Sequence, residues 1–318
     1  MRIGTRRDDS DVVVLALAIA ADALLGEPPG WCHPVVAMGR IIGAAERWVP
    51  PSPVVSVVYG GVIALGGAAG CWLGTRLALR SLRRRAAPLA LAASVFLLKS
   101  TFAIRALDDA ASAVAAGLAA GSLDGARAAL RSLVSRDTAA LDPPLVAAAA
   151  VESVAENLSD SFVAPLFWFA VLGLPGAVAY RFLNTCDAML GYHGRYEYLG
   201  KAAARLDDAA NWAPARLTAL LLVLAAWGRG ADARAAWRVA RRHHRRTASP
   251  NAGWPMSAAA GALGVRLEKL GHYVLGEGPR PPAAAIPAAI ALGRTAAAFG
   301  TVGYVVWALA RGHDAAPS

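Results

Sequence analysis

Three carboxylates stand at i, i+4 and i+8 in the segment Val151-Glu152-Ser153-Val154-Ala155-Glu156-Asn157-Leu158-Ser159-Asp160. On a helix this spacing turns Glu152, Glu156 and Asp160 to one face, where like charges repel. The stripe is either a solvated face or a set of anions awaiting a counter-charge. A divalent magnesium ion or an arginine lid would relieve the repulsion. Apolar sequence follows at once (Phe162, Pro165, Leu166, Phe167, Trp168), which favours the second reading. Just upstream, Ser135-Arg136-Asp137-Thr138 supplies a guanidinium and further oxygen donors.

Other ionisable groups also lie in or beside apolar sequence, where they are expensive and usually functional. Lys99 follows a run of apolar residues and either neutralises a phosphate or carboxylate as a point charge or pairs internally. Asp22 and Glu27, with the single histidine His33 beyond a proline-rich turn, form either part of a polar cavity or a capped helix end. Arg181, Asn184, Thr185 and Asp187 close another apolar run. Asp207 and Asp208 precede a further one together with Arg216. This aspartate pair either caps a helix or holds magnesium against a nucleotide phosphate. Ser249-Pro250-Asn251-Ala252-Gly253 reads as a tight turn whose backbone N–H groups can cradle an anion. The sequence has no GxxxxGK[ST], GxGxxG, GxSxG or HExxH pattern, so any use of ATP would proceed without a P-loop. Cys32, Cys71 and Cys186 form no CxxC pair, which argues against a disulfide frame or a structural zinc site.

The elements that must position these groups are apolar. Of the 318 residues, 56% are hydrophobic and 17% charged, where soluble domains carry about 25% charge. Apolar runs recur at 12–25, 54–74, 88–104, 162–180, 213–227 and 283–310, giving four to six membrane crossings. The expected fold is all-α: a polytopic integral membrane helical protein with amphipathic interfacial helices, organised as a single domain over 1–318. The first run, preceded by Arg2, Arg6 and Arg7 and followed by Asp22, Glu27, Pro28 and Pro29, reads as a retained membrane helix with a cytoplasmic N-terminus. Ser122–Ser135 predicts a helix capped by Ser122, and 232–246 one with Arg234, Arg238, Arg241 and Arg245 on a single stripe. His243 and His244 fall within that stripe and read as interfacial charge.

The net charge of +10 is almost wholly arginine, the lysines being Lys99, Lys201 and Lys269 alone. The arginines flank apolar runs, and no zinc-finger, RNP or helix-turn-helix pattern accompanies them. They therefore predict contact with a lipid bilayer and orientation by the positive-inside rule rather than binding to nucleic acid. Arg76–Arg85 and the seven arginines of Arg229–Arg246 both mark cytoplasmic segments. If every run crosses, simple alternation puts them on opposite faces, so one run, 88–104 first among them, need not span. Disordered, collagen-like and disulfide-scaffold classes are excluded by composition.

Five segments together carry a resemblance: RSLVSRDTAALD, VESVAENLSDSFVAPLFW, AYRFLNTCDAMLGY, GKAAARLDDAANWAPARLTALLL and SPNAGWPMSAAAGALGVRLEKLGHY. With the opening DALLGEPPGWCHPVVAMGR, they are similar to the CobD/CbiB family of cobinamide-phosphate synthases over roughly 22–273. Ala188 stands where that family is expected to have Ser, and Leu267-Glu268-Lys269 replaces an expected Leu-Gly-Gly.

The resemblance implies a multi-pass cell-membrane ligase of cobalamin biosynthesis. Such an enzyme joins the propionate carboxylate of adenosylcobyric acid, a corrinoid substrate, to (R)-1-aminopropan-2-ol or its O-phosphate. It also implies ATP and Mg2+, an active site toward the cytoplasm, and an association with other membrane-bound cobalamin-assembly enzymes. On that footing Glu152, Glu156, Asp160 and Lys99 are the candidate catalytic residues. His33, Arg136, Asp137, Arg181, Asn184, Arg216, Ser249 and Asn251 are candidates for substrate or phosphate binding, and Asp187, Asp207 and Asp208 for magnesium. A membrane sensor of the same fold without ligase activity, and a small-anion transporter, are the alternative readings.

Overall fold

A computed structural model describes residues 5–191 and 197–314. The chain is helical throughout: α1 (Thr5–Leu25), α2 (Pro34–Glu46), α3 (Pro53–Arg85), α4 (Ala87–Lys99), α5 (Ile104–Ala119), α6 (Leu123–Leu130) and α7 (Pro143–Leu158) come first. A π-helical turn over Ser159–Val163 then leads to α8 (Ala164–Leu172), α9 (Leu174–Leu190), α10 (Glu197–Gly228) and α11 (Ala233–His243). The remainder comprises α12 (Gly253–Leu263), a two-stranded hairpin of β1 (Leu267–Lys269) and β2 (Tyr273–Leu275), and α13 (Ala285–Asp314). Four stretches are long and apolar enough to cross a membrane: Pro53–Arg85, Ala87–Ala119, Tyr198–Gly228 and Ala285–Arg311. The protein is thus an all-α membrane protein.

Two of the expected runs behave differently. Residues 162–180 do not form one rod, because Gly173 at φ 69° ends α8 and Pro175 starts α9. That backbone geometry is open only to glycine at low cost, and proline suits a first helical turn. The first run forms the 21-residue α1 but is not among the four long apolar helices, since its first half carries charge. The expected Ser122 cap forms, accepting from the Gly125 N–H; Asp232, not singled out by the sequence reading, also accepts from the Ala235 N–H and caps α11.

The chain divides into two compact units, each built from separate segments. The first comprises 1–103, 164–210 and 303–318. Here α9 lies along α3, and the approach depends on small residues: a Cβ at Gly67 would fall 2.1 Å from the Phe182 ring. At Gly200 it would fall 1.9 Å from the Leu190 carbonyl oxygen, so the start of α10 is pressed onto the end of α9. Ala164, Tyr180 and Ala210 form a buried knot, tied by the Trp168 indole N–H to the Ala210 carbonyl at 3.2 Å.

The second unit comprises 104–163 and 211–302. Its centre is α7, buried on every side from Leu145 to Ala155, as the Ala/Val-rich run that leads into Glu152 requires. Around it pack α5, α6, α12 and β1. Asp142 caps α7 by accepting from the Leu145 N–H at 2.9 Å, with proline at the first helical position. In α11, Ala235, Ala236, Val239, Ala240 and His243 are buried against α12, and the arginines face outward.

Candidate functional site

Within the second unit, α7 delivers Glu152 into an interior position, 5% exposed, against the loop that precedes the helix. Arg136 from that loop donates from Nη2 to Glu152 Oε2 at 3.1 Å. The loop is held by its own polar groups: Ser153 donates to the Leu133 carbonyl, and Thr138 to the Arg127 carbonyl. Burial pushes the Glu152 carboxyl up to about 7, and the neighbouring Glu156 charge adds to the rise. Arg136, Lys269 and the Tyr273 hydroxyl pull the other way without restoring the ordinary value. Tyr273 itself is driven far above the normal phenol range, by burial first and then by Glu152 and Glu156. Glu152 Oε1 and Arg136 Nε are buried and make no hydrogen bond among the described residues. A buried carboxylate with a raised pKa and a partly buried guanidinium therefore meet beside the Tyr273 hydroxyl.

Glu156 follows on the same helical face, partly buried. Asp160 sits in the π-helical turn over Ser159–Val163 and is partly buried. Asp137 is exposed and shapes its own loop by accepting from the Ala139 N–H at 2.9 Å.

The same unit gathers Arg216, Asn251 and Ser249. Arg216 donates to Asn251 Oδ1 at 3.2 Å and to the Trp212 carbonyl at 2.6 Å. Its guanidinium lies between two indoles, 4.4 Å from Trp212 and 5.3 Å from Trp254. Trp254 stacks in turn on His244 at 4.0 Å. Ser249 Oγ accepts from the Asn251 N–H, so the expected tight turn is internally braced. His243 is not the interfacial charge that the sequence suggests. His243 is buried and its Nδ1 accepts from the Gly276 N–H at 3.0 Å. Burial, then the Arg246 charge, hold its pKa below the ordinary value.

In the first unit, Lys99 is 3% exposed and sits at 2.8 Å from Glu27 and 3.4 Å from Asp22. His33 reaches Glu27 at 2.7 Å, while its Nδ1 accepts from the Val35 N–H and caps α2. With Nδ1 an acceptor, Nε2 carries the proton toward Glu27. Burial raises the Glu27 carboxyl, but the hydrogen bonds from His33 and Lys99 outweigh it and hold the group below its ordinary value. Beside this network lies a cavity of about 680 Å3 lined by Leu17, Leu25, Val95 and Phe96. Lys99 is thus compensated by two carboxylates of its own chain.

A second cluster of the first unit joins α9 to α10. Arg181 donates to Asn184 Oδ1 at 3.2 Å, and Asn184 donates to Asp207 Oδ1 at 3.4 Å. Burial raises the Asp187 pKa, and the Asp208 charge raises it further. Among the described residues no three His, Cys, Asp or Glu side chains close on a metal by themselves. A mutually repelling Asp187–Asp208 pair with Asp207 nearby still suits magnesium, which takes one or two carboxylates and completes its shell with water and substrate phosphate.

Sequence reasoning missed Tyr273, Lys269, Trp254 and Asp142. Asp142-Pro143-Pro144 carried a cap-and-proline signal that marks the start of α7. The hairpin and indole contacts arise from folding over long chain distances, for which the sequence holds no local sign.

A protein-family model described as CobD/Cbib protein matches residues 15–296. The cobalamin biosynthesis protein CobD of Dehalococcoides mccartyi is 45% identical over 272 residues, covering 85% of this chain and 88% of the relative. A probable cobalamin biosynthesis protein CobD of Methanothermobacter thermautotrophicus is 43% identical over 84% and 88% of the two chains. A probable CobD of Pyrococcus furiosus is 39% identical over 82% and 86%. No solved structure matches the chain. With family and relatives matched over most of its length, this chain belongs to the CobD/CbiB family.

Proposed function

We propose that the chain acts in cobalamin biosynthesis as an ATP-dependent acid–amine ligase of the cell membrane. It joins the propionate carboxylate of adenosylcobyric acid to (R)-1-aminopropan-2-ol or its O-phosphate, with the reacting groups on the cytoplasmic face. The observation that carries this reading is the buried Arg136–Glu152 pair, whose carboxylate changes protonation near neutrality. A general base is most effective when its pKa lies close to the working pH.

A carboxylate is a poor acyl donor. Transfer of the ATP γ-phosphoryl group to the propionate oxygen gives an acyl phosphate and ADP. The amine nitrogen then attacks the acyl carbon, the C–O bond to phosphate breaks, and the nitrogen loses a proton. Glu152 is placed to take that proton. The unsaturated Nε of Arg136 offers positive charge to a phosphoryl oxygen. Arg216, clamped between two indoles, presents a rigid guanidinium suited to a second anionic group. Asp187, Asp207 and Asp208 would hold magnesium, which neutralises phosphate charge during phosphoryl transfer. Asn184 keeps Asp207 oriented through its amide.

The test is reconstituted coupling in detergent with cobyric acid, the amine, ATP and magnesium, followed by mass spectrometry of the amide. Wild-type protein is expected to form product, and Glu156→Ala and Asp207→Ala to form none while still inserting into membranes. Solute flux in proteoliposomes without product would instead make the chain a transporter.

A further inference from the structure

At one end of α3, apart from the candidate site residues, the first unit contains a cavity of about 400 Å3. Arg76, Arg80 and Arg83 line it at i, i+4 and i+7, one stripe of the helix. Gly173, Leu174 and Pro175, the first residues of α9, close it from another side. The start of α9 adds the positive end of a 17-residue helix dipole; there the Gly176 and Ala177 N–H groups are taken by the Gly173 carbonyl and Pro175 has none. Among the described residues the lining carries three arginines and one carboxylate, Asp11, an excess of positive charge to which the helix end adds.

Such a concentration of positive charge around a concavity attracts a phosphate-bearing anion, for which arginine forks and helix N-termini are matched donors. The cavity's place in the membrane decides which anion. Pro53–Arg85 is one of the four helices able to cross a bilayer, and these arginines end it. One or two turns further in, Leu73 and Leu77 are 49% and 52% exposed, as lipid-facing side chains are. Trp72 lies under Arg76 at 5.0 Å, an indole at the level where aromatic residues mark the headgroup zone. Leu172, also on the lining, is 49% exposed.

We propose that this cavity is a binding site for one anionic phospholipid, its phosphodiester held by Arg76, Arg80, Arg83 and the start of α9, and its acyl chains lying along Leu73 and Leu77. The site does not depend on the ligase reading. It differs from general attraction to a charged surface in that one lipid is retained at a fixed place, as in basic pockets between membrane helices.

The experiment is native mass spectrometry of the full chain, delipidated in a neutral detergent and titrated with phosphatidylglycerol or phosphatidylcholine. One phosphatidylglycerol per chain is expected to bind at least 10-fold more tightly than phosphatidylcholine. Arg83→Gln, an exposed end-of-helix change, is expected to weaken it about 3-fold, and Arg80→Gln with Arg83→Gln at least 10-fold. Arg241→Gln with Arg245→Gln, equal in charge but placed on α11 and the turn that follows it, should leave the affinity unchanged. Equal weakening by both double variants would overturn the site in favour of bulk electrostatics. Equal affinity for the two lipids would overturn it also. Displacement of the lipid by millimolar inorganic phosphate would make a soluble phosphate the occupant and overturn the lipid assignment.

Discussion

Glu152 and Arg136 are sixteen residues apart and meet because α7 folds back on the loop that precedes it. A carboxylate raised to about 7 has two linked consequences. As a base it is lost when pH falls through 7, so coupling should decline on the acid side of a midpoint near that value. Glu152→Gln should lower coupling by at least about 100-fold and remove the acid limb, since general-base contributions run to 10²–10⁴. Stability moves the other way. Between the ordinary carboxylate value and 7, the folded state binds a proton that the unfolded state has released, so stability falls as pH rises through that window. Gln mimics the protonated form, so Glu152→Gln should be more stable than wild type at pH 8, by on the order of 2–3 kcal/mol. That advantage should vanish at pH 4.5 and below. Thermal unfolding in detergent across pH, alongside coupling rates, checks both signs. A variant that loses activity and stability together at pH 8 would make Glu152 a structural acid.

At the level of elements, α7 is fixed by its cap as well as by burial. Asp142→Ala removes an N-terminal acceptor worth about 1 kcal/mol, together with the half-exposed pair to Arg280, worth ~0–1 kcal/mol. Asp142→Asn keeps the acceptor and drops the charge, so it should recover most of the lost stability in the same unfolding measurement. The Ser122 cap was readable in advance, standing where α6 begins, and the arginine stripe of α11 follows the 3.6-residue period. The break at Gly173 had a local sign in Gly173-Leu174-Pro175-Gly176, glycine and proline being strong helix punctuators, which the apolar character of the whole run concealed. The π-helical turn over Ser159–Val163 left no mark, because it changes residues per turn without changing composition. Lys99, Asp22, Glu27 and His33 each stood out as an ionisable group in apolar sequence. Their mutual pairing across 72 positions of chain is a product of tertiary packing.

For the whole molecule, the question that charge left open is which segments share a face of the membrane. Positive-inside bias marks Arg229–Arg246 as cytoplasmic. In the second unit α11 packs on α12, and α12 on α7. The loop bearing Arg136 leads into α7 and so joins the arginine-rich helix through one chain of contacts, which argues for the same aqueous face. With Cys32, Cys71 and Cys186 replaced by Ser, single cysteines at the exposed positions Ser132 and Ala248 should react with a membrane-impermeant maleimide only when the cytoplasmic face is open to it. This is also the face where ATP is available to the proposed reaction. Labelling of the two positions from opposite faces would separate Arg136 from the arginine-rich helix. Labelling of both from the outer face would keep the unit intact but remove its access to ATP.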